Sequence, residues 1–540
     1  MKHLFKLAFS LFFVISTFNS VAQNQPFDLI LKPINVQNLG GLQSFAFGQH
    51  NGKWLIVGGR LDGLHRRQPW AAFDVAGHNT ELIVVDPVSL QKWTAPLSTL
   101  AVGIQEQLRS TNMQFYQEGD YLYCTGGYGY SATITDHTTY DKLTAIKVSD
   151  VINAVVNGTS YSSFFRQISD TNFQVTGGHL EKIDSTFYLI GGHKFLGRYN
   201  PMGPTHGPGF TQEYTNAIRK FTLVDNGTSI SINHLAAIID SANLHRRDYN
   251  AEPQIFPNGT QGITAFSGVF QPVVDLPYLN SVDIDSSGYT VNNTFQQYYN
   301  HYHCAVLPVY SQSKKEMHTV FFGGIAQFYD SANFRIQDNN VPFVKTIARV
   351  SRDSSGVMTE NKLGIEMPSL LGAGSEFLPI ETLPKYANGV LKMDDFLNDT
   401  TTVGYIYGGI SSTAANIFFT NNGTQSSASS QIFEVSLVKR NAVGLNENNK
   451  SEDNTFDLQI FPNPANEGLK IEFNLISNSD VTFTFVDSHG NLVDSFRLEN
   501  LIAGKNSINR KIGENFKNGV YFLTIKTDYS KTSKKLIIKK

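Results

Sequence analysis

The chain has 540 residues, of which 41% are hydrophobic and 12% aromatic, enough apolar side chains to fill more than one core. Its formal net charge of −3 excludes a general electrostatic attraction to nucleic acid or to an anionic membrane surface. Gly, Phe, Tyr, Thr, Ser and Asn are abundant and long Ala/Glu/Lys/Leu stretches are missing, a composition of strands and turns.

A targeting segment comes first. Lys2 and Lys6 flank the start of an apolar run over residues 7–18, and Ser20 and Ala22 place small side chains ahead of a cut after Ala22. Residues 1–22 therefore read as a secretory signal peptide. The run falls short of the ~20 apolar residues that a membrane-spanning helix needs. No later segment is long and apolar enough either, so no transmembrane span is expected.

Residues 27–34 (FDLILKPI) read as a strand, and a repeating pattern follows. Apolar runs close in pairs of small residues at Gly58-Gly59, Gly126-Gly127, Gly191-Gly192, Ser267-Gly268, Gly323-Gly324 and Gly408-Gly409, roughly 55 to 85 residues apart. Upstream of each pair lie a strand and a short polar turn such as Gln49-His50-Asn51-Gly52, in which Asn-Gly is a hairpin signal. Downstream, after a loop of variable length, comes another strand, at residues 80–86, 142–148, 216–223, 278–284, 344–350 and 431–437. Each unit is thus an antiparallel sheet of at least three strands. The glycines allow positive φ and the close approach of a neighbour, and Trp93 in the first unit is placed to be that neighbour.

Six such units resemble the kelch repeat over roughly residues 27–440. The resemblance implies an all-β, six-bladed propeller in which the double glycine closes the second strand of each four-stranded blade. One strand, at residues 27–34, is left over at the start and one is lacking at the end. Pairing it as the outer strand of the sixth blade would close the ring and hide both edges. Cys124 and Cys304 then fall in separate blades and read as buried thiols.

The loops after four glycine pairs, at residues 60–79, 193–213, 325–342 and 410–428, exceed the ~12–15 residues beyond which structureless connections are usually functional. In a propeller they emerge on one face, around the central channel. They carry Arg67 and Trp70, and the segments entering the first strands add Arg109, Arg247, Asp248, Tyr249, His301, His303 and Glu376. Guanidinium forks suit carboxylate or phosphate and aromatic faces suit sugar rings, so these are the candidate residues for binding an acidic glycan or an acidic peptide loop. His301 and His303 alternate onto one strand face, but a zinc site needs three or four ligands, and neither a metal nor another cofactor is expected. No nucleophile motif, phosphate loop or zinc-protease motif appears. A non-catalytic propeller that binds a glycan or protein is the leading expectation. The alternatives are a mutarotase or epimerase of acidic sugars, because sialate mutarotases are also kelch-like six-bladed propellers, and a non-binding envelope scaffold.

Residues 441–455 are polar, as a linker is, and residues 456–540 return to short alternating strands that read as a small β-sandwich. Pro462-Asn463-Pro464, Asp487 with Gly490, and Gly519 with Tyr521, ahead of a Lys-ending tail, resemble the C-terminal sorting domain of the type IX secretion system of Bacteroidetes. The resemblance implies the translocon and its sortase as partners, and a secreted or surface-held product.

Overall fold

Asn51 and Gly52 make the expected hairpin: both take positive φ, 51° and 75°, and His50 faces Lys53 across the turn. The strands they join, Ala46–His50 and Lys53–Val57, continue into Glu81–Asp86 and Gln91–Pro96 to complete a four-stranded antiparallel sheet. The computed structural model describes residues 25–203, 209–299, 302–331, 334–440, 458–475, 478–487, 491–527 and 531–540. The predicted signal peptide, the predicted linker, His301 and Gly490 lie outside these residues. The chain divides into two compact units, Met1–Asn441 and Ala442–Lys540.

The first unit is all-β and propeller-like. Five more large sheets follow the first along the chain, opening with Thr111–Glu118, His179–Ile183, Asn250–Ile255, Val306–Ser311 and Ser375–Pro379, antiparallel but for Leu391–Lys392, which runs parallel to Val306–Ser311, and two loops form small hairpin sheets of their own. Their apolar runs are continuous because each sheet is covered on both faces. In the run WLIV, Leu55 and Val57 pack with Leu122 and Cys124 of the second sheet, whereas Trp54 and Ile56 pack with Tyr405 and Tyr407 of the sixth. Both cysteines are buried and free. Two short helices, Val102–Leu108 and Val148–Asn157, interrupt the strands without having been anticipated, and the second buries Val148, Val151, Ile152 and Val155 along one face.

One residue at the start of each first strand, or up to three residues ahead of it, joins a closed circle of backbone hydrogen bonds. Asn112 N–H donates to the Ser44 carbonyl (3.1 Å), Gly177 to Asn112 (3.3 Å) and Asp248 to Gly177 (2.8 Å). His303 then donates to Asp248 (3.2 Å), Gly374 to His303 (2.8 Å) and Ser44 to Gly374 (2.8 Å). Five of these residues, all but His303, take positive φ.

A second set of backbone bonds explains the glycine pairs. The N–H of Gly59, Gly127, Gly192, Gly324 and Gly409 donates to the carbonyl of Ser110, Val175, Arg246, Leu371 and Leu42 respectively, at 2.7–3.2 Å, each in the segment leading into another sheet's first strand. A side chain would obstruct that approach: a Cβ on Gly126 would sit 1.8 Å from the Val175 carbonyl oxygen. Trp93 is not the neighbour that the glycines admit. Met113 and Ser110 stand beside Gly58, and Trp93 packs instead against the apolar cluster of the first two sheets.

Phe27–Ile34 pairs antiparallel with Ile432–Lys439, from Phe27 opposite Lys439 to Ile34 opposite Ile432, so the sixth sheet takes its outer strand from the start of the chain. Phe27 and Leu29 are buried with Val435 and Leu437, and this burial fixes the register. The adjoining Arg440–Asp28 ion pair (2.6 Å) is about half exposed on both sides. Arg440→Ala is therefore expected to change stability by less than about 1 kcal/mol in urea unfolding.

The second unit has two sheets, of three and four strands, around a core containing Ile471, Phe483, Phe485, Leu523 and Leu536. Asn463 clamps the last strand: its Nδ2 donates to the Lys535 carbonyl (3.0 Å) and its Oδ1 accepts from Ile537 N–H (2.8 Å). Pro462 and Pro464 follow cis peptide bonds. The Asp487 carboxylate accepts from the backbone and side-chain amides of Asn491, and the Tyr521 hydroxyl bonds both backbone groups of Lys517. Gly519 opens the strand Gly519–Lys526.

Candidate ligand cavity

Segments in or beside each of the six large sheets of the first unit line one cavity of about 440 Å³. The loop after Gly58-Gly59 brings Arg67 and Phe73, the second sheet brings Tyr128, and the segment leaving the third sheet after Gly191-Gly192 brings His193, whose strand His193–Leu196 pairs onto the second sheet, and Tyr199. Arg247, Asp248 and Phe270 come from the fourth, Tyr302 from the fifth and Phe419 from the sixth. The loops are tied to one another across the chain's ends: Asn421 O accepts from Arg67 N–H (2.8 Å), and Asn421 Nδ2 donates to Leu64 O (2.7 Å).

The two arginines differ. Arg247 is locked: its Nη1 lies 2.8 Å from Asp248 Oδ2, its Nε donates to the Tyr214 hydroxyl (3.0 Å), and its guanidinium lies 4.7 Å from the centre of the Phe270 ring. Asp248 holds φ at 47°, in the left-handed region where a side chain is strained. Arg67 stands 5.2 Å from the centre of the Phe419 ring, and among the described residues no carboxylate pairs with it. Burial, with Arg247 adding to it, pushes the pKa of His65 down to about 4, and the same two causes hold His193 well below the usual range. Both imidazoles are neutral at physiological pH. The aromatic wall is continuous, with Phe73 edge-on to Tyr128 (5.2 Å) and to Tyr199 (5.8 Å).

Of the residues singled out from sequence, Arg67, Arg247 and Asp248 meet in this cavity. Tyr249 is fully buried, its hydroxyl donating to Ile190 O (2.7 Å), and it packs beside Gly191 as a core residue. Trp70 is 72% exposed and does not line the cavity, and Arg109 caps the helix Val102–Leu108. The side chains of His303, itself a member of the backbone circle, and of Glu376 line a second chamber, His303 Nε2 3.0 Å from Glu376 Oε1 as an ion pair. Among the described residues no group of His, Cys, Asp and Glu is arranged to hold a metal ion. Phe73, Tyr128, Phe270 and Phe419 were missed, although Phe73 and Phe419 lie in two of the four long loops, where the signal was loop length alone.

The fold and site define an exported all-β protein with a propeller-like unit that holds an aromatic-walled cavity lined also by two arginines. Residues 459–539 match the family described as secretion system C-terminal sorting domain. This domain directs export by the type IX system to the cell surface or extracellular space, and no helix among the described residues is long and apolar enough to cross a membrane. Similar solved structures include "Structure of YjhT", at 10% identity and a TM-score of 0.39, covering 74% of this chain and 98% of that one. A RAG complex with one melted and one unmelted RSS is 10% identical with a TM-score of 0.34, covering 76% of this chain and 99% of that one. A glycoside hydrolase family 43 arabinoxylan arabinofuranohydrolase from Bacillus subtilis is 11% identical with a TM-score of 0.26, covering 79% of this chain and 94% of that one. At these scores none of the likenesses bears on what the cavity binds. No curated protein sequence matches the chain.

Proposed function

We propose that residues 23–440 form a closed, six-bladed, kelch-like propeller whose cavity binds an acidic glycan. Residues 1–22 direct the first export step, residues 441–455 link, and residues 456–540 address the chain to the type IX translocon and sortase. The circle of six backbone hydrogen bonds supports the blade count, since one residue per sheet closes it.

The observation that carries the ligand reading is Arg67. Its guanidinium faces the cavity without a carboxylate partner, beside an aromatic ring and close to neutral histidines, so a carboxylate from solution would be its first. A charged hydrogen bond of this kind contributes about 1.5–3 kcal/mol, and the aromatic wall offers faces to a sugar ring. A glycan array on the mature chain, followed by calorimetry, is expected to return carboxylated sugars, with affinity reduced at least about tenfold in Arg67→Ala. Retention of full affinity by that variant would rule out Arg67 as the anion site. The same sugars should be followed for turnover: product formation would replace the binding reading with that of a mutarotase or epimerase. Binding only to an acidic protein would replace the glycan.

A further inference from the structure

The backbone circle separates two spaces. Residues just before it, such as Thr111, Thr176 and Tyr302, line the large cavity, whereas residues just after it, such as Met113, Gly178 and Cys304, line an inner chamber of about 180 Å³. Glu181, Glu252 and Glu376 line this chamber, and no Lys or Arg does. Glu376 is paired with His303, which leaves Glu181 and Glu252, to which no ion pair is made among the described residues. Gln114 makes a separate demand. It is 98% buried, its Nε2 donates to Asn112 O (2.8 Å), and its Oε1 has no donor.

We propose that the inner chamber is a second binding site, for a primary alkylammonium group held by Glu181, Glu252 and Gln114 Oε1 with its chain along Phe47, Phe115 and Phe377. An ammonium brings three donors and no acceptor, which matches a space rich in acceptors. Phe47 and Phe115 meet edge-on at 5.3 Å and form an apolar wall on which the methylenes can lie, with ring faces that attract a cation. The carboxylates are not grouped as metal ligands are, so a cation with donors spread in several directions suits them better than a bare ion.

The neighbouring titratable groups leave the acidic excess in place. Burial, and next the charge of His303, push the pKa of His179 down to about 3, and burial holds the Cys304 thiol and Tyr116 hydroxyl protonated. Burial raises Glu181 to about 8 and raises Glu252 well above the carboxylate range, with Glu181 and Glu376 adding to the latter. An ammonium favours the ionised carboxylates, so below about pH 8 its binding must expel protons, and affinity rises with pH.

The test uses calorimetry on the full-length chain with two probes, 1,4-diaminobutane and Nα-acetyl-lysine N-methylamide, and with 1-butanol as the uncharged comparison. Saturable binding of an amine is expected, tightening at least about fiftyfold from about pH 6 to about pH 8. It should weaken at least about tenfold in Glu181→Gln/Glu252→Gln, and also weaken in Gln114→Leu, which keeps the volume but removes the acceptor. Gln preserves the shape of Glu and removes a buried ionisable group, so cooperative melting of the double variant is expected and is checked first. Binding of the diamine alone would identify a free polyamine-like ligand, and binding of the lysine derivative alone a lysine side chain of a partner. Absence of saturable heat with both amines, equal binding of 1-butanol, or an affinity untouched by the double substitution would overturn the proposal.

Discussion

Replacing Arg247 by alanine is expected to lower the free energy of unfolding by about 3–5 kcal/mol. The side chains of Arg247 and Asp248 are 17% and 5% exposed and 2.8 Å apart, so the substitution strands a buried carboxylate with its guanidinium partner gone. Burial works against the charge of Arg247, yet Asp248 and then Tyr214 outweigh it and hold the guanidinium charged. Arg247→Met together with Asp248→Asn should recover most of the loss, because it removes both charges at similar volume. Urea unfolding of the three variants measures this. If Arg247→Ala unfolds at the wild-type midpoint, the pair does not hold the cavity floor together. For the same reason, loss of ligand in Arg247→Ala would report damage to the fold as much as loss of a contact, and Arg67, free of such a partner, is the cleaner residue to change.

Alanine at Gly126 should be as damaging, for a reason of shape. The residue has φ of 62°, and a Cβ there would meet the Val175 carbonyl oxygen at 1.8 Å, the same oxygen that accepts from Gly127 N–H at 2.9 Å. Left-handed backbone in alanine costs about 1–2 kcal/mol, the lost hydrogen bond about 1, and forced displacement about 1–3, or about 3–6 kcal/mol in all. Gly52 supplies the comparison: its φ is 75°, but nothing lies within 4 Å of a Cβ there, so Gly52→Ala should show the backbone cost alone. Equal midpoints for the two variants in thermal or urea unfolding would refute the close-approach account of the glycine pairs.

The strands were legible because their pattern is local. A run such as WLIV, ended by two glycines and preceded by Asn-Gly, states its own length, its turn and its burial on both faces, and the structure has its strands there. The partner of the glycine pair was not legible. Trp93 is near in sequence, but the approaching group is the backbone carbonyl of another segment, and a carbonyl leaves no trace in residue identity. The site shows the same division. Arg67 and Arg247 stood out as charges in or beside long loops, while Tyr249 looked like their equal until its hydroxyl was seen to bond Ile190 O in the core. His303 and Glu376 likewise shared the composition of the cavity residues, but their side chains line a different chamber.

Sequence by itself determined the export address, since sorting motifs are short and contiguous, and it determined the strand periodicity, since alternation and turn chemistry act over a few residues. Tertiary structure alone decided which polar groups meet. The six residues of the hydrogen-bonded circle run from Ser44 to Gly374, and Arg67 shares its cavity with Phe419 from the far end of the unit. Such encounters depend on how sheets stack, which is set by the packing of both faces of every strand at once, and no stretch of chain read singly contains that sum.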